Sequence, residues 1–209
     1  MVVQTESPAA VENRRGVLGM LLERYPLEHL QGNGHAPPPR NEFEQYVTRY
    51  QVPLPTEQPL GLRGGDTRPG DVMIQHDMSL CILCTRCVRA CDDIQEVGVL
   101  DVGQRGAHTE IIVGGDGDPD HAGCTWCGEC VRVCPTGAIF EVIPRERFGA
   151  EAVRNPDTIT RSVCPYCGVG CQVDLHVKNG ELVRVTSPWI EEDTPNQGST
   201  CVKGRFGTD

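Results

Sequence analysis

The chain has 209 residues, a formal net charge of −10, only 5% aromatic residues, and as many as 24 glycines and 16 prolines. The acidic balance argues against nucleic-acid binding, because a basic surface supplies most of the affinity for phosphates. A chain this poor in bulky side chains cannot build one large core. We therefore expect small units that are held by something besides hydrophobic burial, as bound metal can do.

Two features of the chain bear on its location. The longest apolar run is far short of the roughly 20 residues that a membrane-spanning helix needs. Arg14-Arg15 precedes the apolar stretch 17–22 and faintly resembles a twin-arginine export signal, but the stretch ends at Glu23 and no small-residue cleavage site follows. The sequence therefore predicts no membrane span and a cytoplasmic location.

The first 66 residues contain no cysteine and predict two short helices. Residues 14–24 have the pattern of an amphipathic helix. Residues 41–50 predict a second helix, with Asn41 as its N-cap and Glu44 three residues later. The apolar side of the first helix comprises Val17, Leu18, Leu21 and Leu22. Between these helices, the stretches 32–34 and 37–39 are predicted to break the chain, and the prolines and glycines of 53–70 predict a linker.

An internal repeat of cysteines follows within residues 71–147. The spacing C-x2-C-x2-C-x3-C occurs twice. The first run is Cys81, Cys84, Cys87 and Cys91, and the second run is Cys124, Cys127, Cys130 and Cys134. Between them, residues 97–102 and 109–113 predict two strands of a hairpin that is joined through 103–108.

This spacing is typical of [4Fe–4S] sites. Gaps of two residues let one loop hold three corners of the cube, and in two-cluster ferredoxins the fourth cysteine of each run serves the other cluster. Pro135 after Cys134 turns the chain away from the cluster, whereas Asp92 takes that place in the first run. We therefore define site 1 as Cys81, Cys84, Cys87 and Cys134, and site 2 as Cys91, Cys124, Cys127 and Cys130.

The remaining cysteines form a third group. Site 3 comprises Cys164, Cys167, Cys171 and, 29 residues later, Cys201. Residues 148–160 are predicted to be a linker. Two alternating stretches, 173–177 and 182–185, flank Asn179-Gly180, which suits a type I′ hairpin turn. That hairpin can fold Cys201 back toward the other three cysteines.

Further residues near site 3 could tune a cluster. The backbone amides of Gly168, Gly170 and Gly198 could approach sulfur, and such hydrogen bonds raise the reduction potential. Lys203 would place a cation beside the site.

Two rival uses of cysteine fit less well. Disulfides are disfavoured because neighbours in a tight run cannot pair comfortably with each other. Zinc also binds four thiolates in C-x2-C pairs, and it is most credible at site 3 taken alone. Zinc sites rarely use three cysteines at successive two-residue gaps, however, and the twelve cysteines divide into three fours without remainder.

Other motifs are incomplete. Asp116, Asp118 and Asp120 resemble the start of a calcium loop, but His121 and Cys127 occupy the positions of its Gly and Glu. The six histidines have no paired ligand spacing, and most are expected at the surface. No phosphate-binding loop or hydrolase nucleophile motif occurs. The chain by itself predicts no substrate chemistry.

At this point the chain resembles a known family. Cys164-Pro165-Tyr166-Cys167-Gly168-Val169-Gly170-Cys171, with Cys201-Val202-Lys203-Gly204-Arg205, resembles the iron–sulfur entry to molybdopterin oxidoreductases, especially formate dehydrogenases. The resemblance implies a molybdenum- or tungsten-bound pterin dinucleotide beside site 3, with Lys203 as the electron relay between them. The double run resembles the cytoplasmic NAD-linked formate dehydrogenase alpha subunits, to which the large iron–sulfur subunit of respiratory complex I is related.

The N-terminal region resembles the same family with its ligands lost. Tyr25 stands where the family has a histidine ligand and His29 where it has the first cysteine. That cluster is expected to be absent, and residues 12–66 are expected to be a remnant kept for packing or docking. In the family the pterin-binding body would begin after Cys201. We therefore expect the catalytic residue outside this chain, which would be a fragment or a subunit of a split enzyme.

These observations predict an α+β protein of small cluster-stabilised modules. The predicted domains are a helical remnant at 1–66, a two-cluster ferredoxin-like domain at 67–147 and a molybdopterin-oxidoreductase-type [4Fe–4S] domain at 148–209. The predicted function is electron transfer between a formate dehydrogenase pterin site and a flavin/NAD or ferredoxin partner. The alternatives are a complex I-like or hydrogenase subunit and a free-standing polyferredoxin.

Overall fold

The computed structural model describes residues 3–30, 41–57, 73–188 and 194–207. The predicted chain breaks at 32–34 and 37–39, and residues 58–70 of the predicted linker, lie outside these ranges. The chain forms two compact units, which comprise Met1–Thr67, Asp77–Cys84 and Pro135–Ala138 in the first, and Arg68–His76, Thr85–Cys134 and Ile139–Asp209 in the second. Short helices and small antiparallel sheets confirm the predicted α+β class.

Helix α1 of the first unit spans Pro8–Leu22 and begins six residues earlier than predicted. Ser7 caps it by accepting a hydrogen bond from the Ala10 N–H at 3.3 Å, and proline suits the first helical position. The predicted apolar face is wrong in part, because Leu22 is buried but Val17 is 53% exposed. Leu18 and Leu22 are four residues apart and share a face, from which Val17 is rotated by about 100°.

Helix α2 spans Glu42–Arg49 and confirms the second predicted helix, cap included. The Asn41 side chain accepts a hydrogen bond from the Glu44 N–H at 2.9 Å. At the same end of α2, the Phe43 N–H donates to the Pro135 carbonyl at 3.0 Å and the Asn41 amide donates to the Thr136 carbonyl at 3.1 Å. The start of α2 therefore holds the turn that follows Cys134.

The second unit contains two small two-stranded sheets. Strand β1 (Ile74–His76) pairs antiparallel with β4 (Ile139–Glu141), a pair that the sequence did not predict. Strands β2 (Leu100–Gly103) and β3 (Glu110–Val113) form the predicted hairpin. Its first strand begins three residues late because the N–H groups of Val97 and Gly98 both bond to the Cys91 carbonyl.

The third sheet has the order β5 (Thr158–Val163), β6 (Gln172–Lys178) and β7 (Glu181–Thr186). The predicted β6–β7 hairpin is confirmed, and Asn179 and Gly180 have the positive φ values (52° and 81°) that a type I′ turn requires. The prediction of a linker at 148–160 is wrong. Helix α5 (Val142–Arg154) kinks at Gly149 and leads into β5, a mostly exposed edge strand without the apolar alternation that predicts strands.

Three short helices contain or follow cysteines. Helix α3 (Arg86–Arg89) contains Cys87, α4 (Glu129–Val133) contains Cys130, and α6 (Val202–Phe206) follows Cys201. A π-helical turn, Ala90–Ile94, extends α3 and carries Cys91. Nowhere in the described ranges is a helix long and apolar enough to cross a membrane.

Candidate metal centre

The two cysteine runs share an unusual backbone conformation. Leu83 and Thr85 of the first run have φ of 54° and 58°, and the matching residues of the second run, Trp126 and Gly128, have 53° and 73°. A left-handed residue other than glycine costs about 1–3 kcal/mol, which is tolerated chiefly at functional sites. Left-handed residues in a turn also aim successive N–H groups into a concavity that suits anions. These left-handed positions were not predicted from the sequence, in which the glycine at 128 was their one sign.

The four cysteines of site 2 line one cavity of about 70 Å³ in the second unit. Three come from the second run, and the fourth is Cys91, which belongs to the first run. The apolar side chains of Val97 and Val99 complete one wall. A single buried water needs about 10–15 Å³, so the space between these thiols could accommodate a group of several atoms.

Backbone N–H groups point at two sulfurs of site 2. The Val99 N–H donates to Cys91 Sγ and the Trp126 N–H to Cys124 Sγ, both at 3.4 Å. Hydrogen bonds of this kind raise the reduction potential of an iron–sulfur cluster. At site 3, by contrast, an added Cβ at Gly168 or Gly170 would meet no atom of the described residues within 4 Å.

Burial raises the pKa of two thiols of site 2. It raises the pKa of Cys130 well above the usual value of 9.0, and the neighbouring Cys127 and Cys87 add to the shift. Burial also raises the pKa of Cys124. Iron binds thiolates, so cluster assembly here must displace protons that the free thiols hold firmly.

Site 3 is built on the third sheet. Cys164 is buried with Val173 and Val185, and its N–H donates to the Cys171 carbonyl at 2.8 Å. Helix α6 packs beside Cys164, because an added Cβ at Gly204 would lie 3.6 Å from its Sγ. The pKa of Cys171 is raised by burial and further by the three other cysteines of the site. The structure thus brings the four together.

One side of site 3 faces outward. Cys167 and Cys201 are exposed, whereas Cys164 is buried. Tyr166 and Val169, next to Cys167, are 43% and 63% exposed. Lys203, the predicted relay, is also exposed, two residues beyond Cys201 on α6.

The residues of site 1 are divided between the two units. Cys81 and Cys84 lie in the first unit, and Cys87 and Cys134 lie in the second. Cys87 is buried, with 7% exposure, and the other three are partly buried. The assignment of these four to one cluster stays a prediction from the spacing.

The remaining candidates behave as ordinary residues. The aspartates at 116, 118 and 120 form an exposed loop in which Asp116 lies 3.0 Å from the His121 ring. His176 differs from the expected surface histidines, because it is partly buried and its Nε2 lies 2.7 Å from the Thr186 hydroxyl. Tyr25 is buried and its hydroxyl donates to Glu44 at 2.9 Å.

The chemistry of the donor sets fits iron–sulfur clusters. Sites 2 and 3 each offer four thiols, the ligands that [4Fe–4S] cubes use. In the parts of the chain that the structure describes, which include all twelve cysteines, no three His, Cys, Asp or Glu side chains are arranged to hold one metal ion.

Two domain families match the chain. Residues 71–140 match the NADH-quinone oxidoreductase subunit 3 ferredoxin-like domain, and residues 157–209 match the molybdopterin oxidoreductase Fe4S4 domain. The two matched segments are therefore similar to iron–sulfur domains. The chain is an iron–sulfur electron-transfer module, in agreement with the class that the cysteine spacing predicted.

Relatives of this module carry different names. The chain is 33% identical to a protein of Rhizobium meliloti that is named as a second G subunit of NADH-quinone oxidoreductase, over all of this chain and 23% of that protein. It is 40% identical to the NADPH-Fe(3+) oxidoreductase alpha subunit of Geobacter sulfurreducens, over 65% of this chain and 15% of the relative. A Staphylococcus haemolyticus protein carries a name that provisionally assigns it as a formate dehydrogenase. It is 29% identical over 63% of this chain and 17% of that protein.

The chain thus spans 15 to 23% of the length of these relatives. Among solved structures, a chain of an NAD+-reducing [NiFe]-hydrogenase is similar with a TM-score of 0.48 and 21% identity, covering 66% of this chain and 57% of that one.

Proposed function

We propose that the chain holds three [4Fe–4S] clusters, at sites 1, 2 and 3, and connects a molybdenum or tungsten pterin site of a formate dehydrogenase to a flavin/NAD or ferredoxin partner. The observation that carries the proposal is the position of Cys91 in one cavity with three cysteines of the other run. Two-cluster ferredoxins require this crossed arrangement. When bound, such clusters accept and donate single electrons.

The proposed domain limits are those of the sequence: 1–66, 67–147 and 148–209. Within this scheme the N-terminal region has a packing role. Its helix α2 contributes the hydrogen bonds to the carbonyls of Pro135 and Thr136, directly after the site 1 ligand Cys134. These bonds support the idea that the region is retained to hold a ligand loop, without a cluster of its own.

The outward side of site 3 is the proposed contact with the pterin-bearing domain or subunit. A cluster exchanges electrons fastest where its ligands reach the surface, and Cys167 and Cys201 do so. Exposed Tyr166 and Val169 provide apolar area for a partner, and Lys203 provides a cation. The role of Lys203 as electron relay, the pterin and the cytoplasmic location all belong to this proposal.

A second candidate function has support from the relatives. Those from Rhizobium meliloti and Geobacter sulfurreducens are named as subunits of NADH-quinone and NADPH-Fe(3+) oxidoreductases. The same module would then serve a complex I-like assembly without formate chemistry. Mass spectrometry of the subunits that copurify with the chain separates the two. A pterin-containing subunit supports the first function, and a flavin-containing assembly without pterin supports the second.

The cluster count is tested by iron and acid-labile sulfide analysis of the chain after anaerobic assembly. Three cubanes predict about twelve irons and about twelve sulfides per chain. About eight irons per chain would mean that one of the three sites holds no cluster, and the assignment of site 1 would be tested first. A colourless chain that binds zinc would contradict the whole proposal.

A further inference from the structure

We propose that Arg205 is a positioning residue of the site 2 cluster, supplied by the helix that follows the last ligand of site 3. The inference rests on the proposed function, because it requires clusters at sites 2 and 3. Arg205 and the residues that it contacts all belong to the second unit.

Arg205 is buried and reaches the ligand loop of site 2. Its side chain is only 1% exposed, although it lies on α6, four residues after Cys201. Its Nε donates to the carbonyl of Cys127, a site 2 ligand, at 3.3 Å. Arginine is almost never buried this completely unless paired. The residue therefore has a task inside the protein.

Glycine at position 128 makes room for this arginine. An added Cβ on Gly128 would lie 2.1 Å from Arg205 Cδ and 2.2 Å from its Nε, far inside van der Waals contact. Gly128 also has a left-handed φ of 73°, which disfavours other residues. The loop between Cys127 and Cys130 is thus shaped to let the guanidinium group lie against it.

Buried carboxylates anchor the arginine. Glu141, at the end of β4, accepts a hydrogen bond from Arg205 Nη1 at 3.0 Å and pairs with Arg184 Nε at 2.6 Å. A similar contact joins the two modules in the opposite direction. Arg132 of α4 pairs with buried Glu129, and its Nη1 lies 3.2 Å from the position that a Cβ at Gly198 would take. Each module therefore places an arginine against a loop of the other.

Arg205 brings positive charge to the ligand loop of site 2. It shares the buried carboxylate of Glu141 with Arg184. Arg205 Nη2 is buried and has no hydrogen-bond partner among the residues that the structure describes. A cation beside the ligand loop stabilises an anionic cluster, and most of all its reduced form.

The structure therefore assigns two tasks to Arg205. Its charge raises the reduction potential of the site 2 cluster, and its contacts fix the loop of site 2 relative to α6 and hence to site 3. Replacement by Gln removes the charge, whereas replacement by Lys retains it but loses the planar, multidentate fork.

The decisive measurement is an anaerobic redox titration of the reconstituted chain, followed by electron paramagnetic resonance, for Arg205→Gln, Arg205→Lys and the exposed control Arg105→Gln. The site 2 signal is identified as the one that Cys91→Ala abolishes. We expect Arg205→Gln to lower the equilibrium constant for one-electron reduction of that cluster at least tenfold, which corresponds to about 59 mV. Arg205→Lys should shift the midpoint potential of the site 2 cluster less, and Arg105→Gln should leave that potential unchanged.

A second pair of variants tests the contact without changing the charge. Gly128→Ala should displace Arg205 and lower the site 2 midpoint. Gly123→Ala introduces a similar strain beside a ligand, because Gly123 has φ of 79°, but its Cβ would meet nothing within 4 Å. Equal midpoints in these two variants, or an unchanged midpoint in an Arg205→Gln chain with full iron content, would overturn the inference.

The test also separates this inference from the proposed function. If the parent chain assembles no clusters, the proposed function fails and Arg205 has nothing to act on. If iron content and all three signals are normal in the parent, the proposed clusters exist. The midpoint potential of the site 2 cluster in the arginine variants then tests the role of Arg205 alone.

Discussion

Cys91 and Cys124 line the same cavity although they belong to different cysteine runs. Each also accepts a backbone N–H hydrogen bond at its sulfur, from Val99 and Trp126. The two residues are therefore arranged as ligands of one cluster, and their pairing can be tested with double variants.

Cys91→Ala and Cys124→Ala should each remove the site 2 cluster, or about four irons per chain, and the double variant should lose no more than either single one. Cys91→Ala combined with Cys81→Ala should lose about eight irons, because Cys81 is assigned to site 1. Iron analysis and electron paramagnetic resonance measure both effects. The opposite pattern, with Cys91 and Cys81 acting as one unit, would mean that each run holds its own cluster.

Lys203→Gln should leave the iron content unchanged and slow the reduction of the clusters by the pterin-bearing partner. The reason is that Lys203 is exposed, two residues after Cys201, and is assigned to the path between the pterin site and the site 3 cluster. Stopped-flow reduction of the assembled complex measures the rate. The chain has only one other lysine, Lys178, which pairs with Asp157 at 2.7 Å and supplies the control Lys178→Gln. Equal rates in the two variants would remove Lys203 from the relay.

Tyr25→Phe should destabilise the first unit by about 1–3 kcal/mol, because the buried Glu44 carboxyl loses a donor. The Asn41 amide, which donates to the Tyr25 hydroxyl at 3.0 Å, loses an acceptor as well. Hydrogen exchange of the Phe43 N–H, bonded to the Pro135 carbonyl, should accelerate roughly tenfold or more. Tyr46→Phe changes an exposed ring and is the matched control. Identical exchange in both variants would show that the Tyr25 hydroxyl contributes nothing.

His176 should make the third sheet sensitive to acid. Burial, followed by the Arg184 charge, holds the pKa of His176 below its usual 6.5, against the opposing effects of Asp174 and Glu141. Below about pH 6.5 the unfolded chain therefore binds more protons at this residue than the folded chain, so stability falls as the pH falls through that window and is unaffected well above it.

His176→Gln should flatten this dependence, because glutamine can still bond the Thr186 hydroxyl but does not titrate. Urea unfolding from about pH 5.5 to about pH 7.5 measures the difference, with exposed His108→Gln as the control. A parent chain and a His176→Gln chain with parallel pH profiles would refute the prediction.

Local signals predicted several elements correctly. Asn41 caps α2, and Asn179-Gly180 forms the turn of the β6–β7 hairpin, because caps and tight turns depend on residues within one or two turns of chain. The errors arose where packing outweighed pattern. Val17 carries an apolar side chain on an exposed face, and β5 is an edge strand that pairs, among the described strands, with β6 alone.

The spacing of the twelve cysteines by itself determined the class of the protein, because three ligands of a cube fit on one short loop and so leave a local signature. Tertiary structure alone decided how the loops meet. Cys91 joins the cavity of the second run, and Arg205 reaches across Gly128 to Cys127, 78 residues earlier in the chain. No local pattern encodes such a contact, since it exists only once the helix after Cys201 packs against the ligand loop.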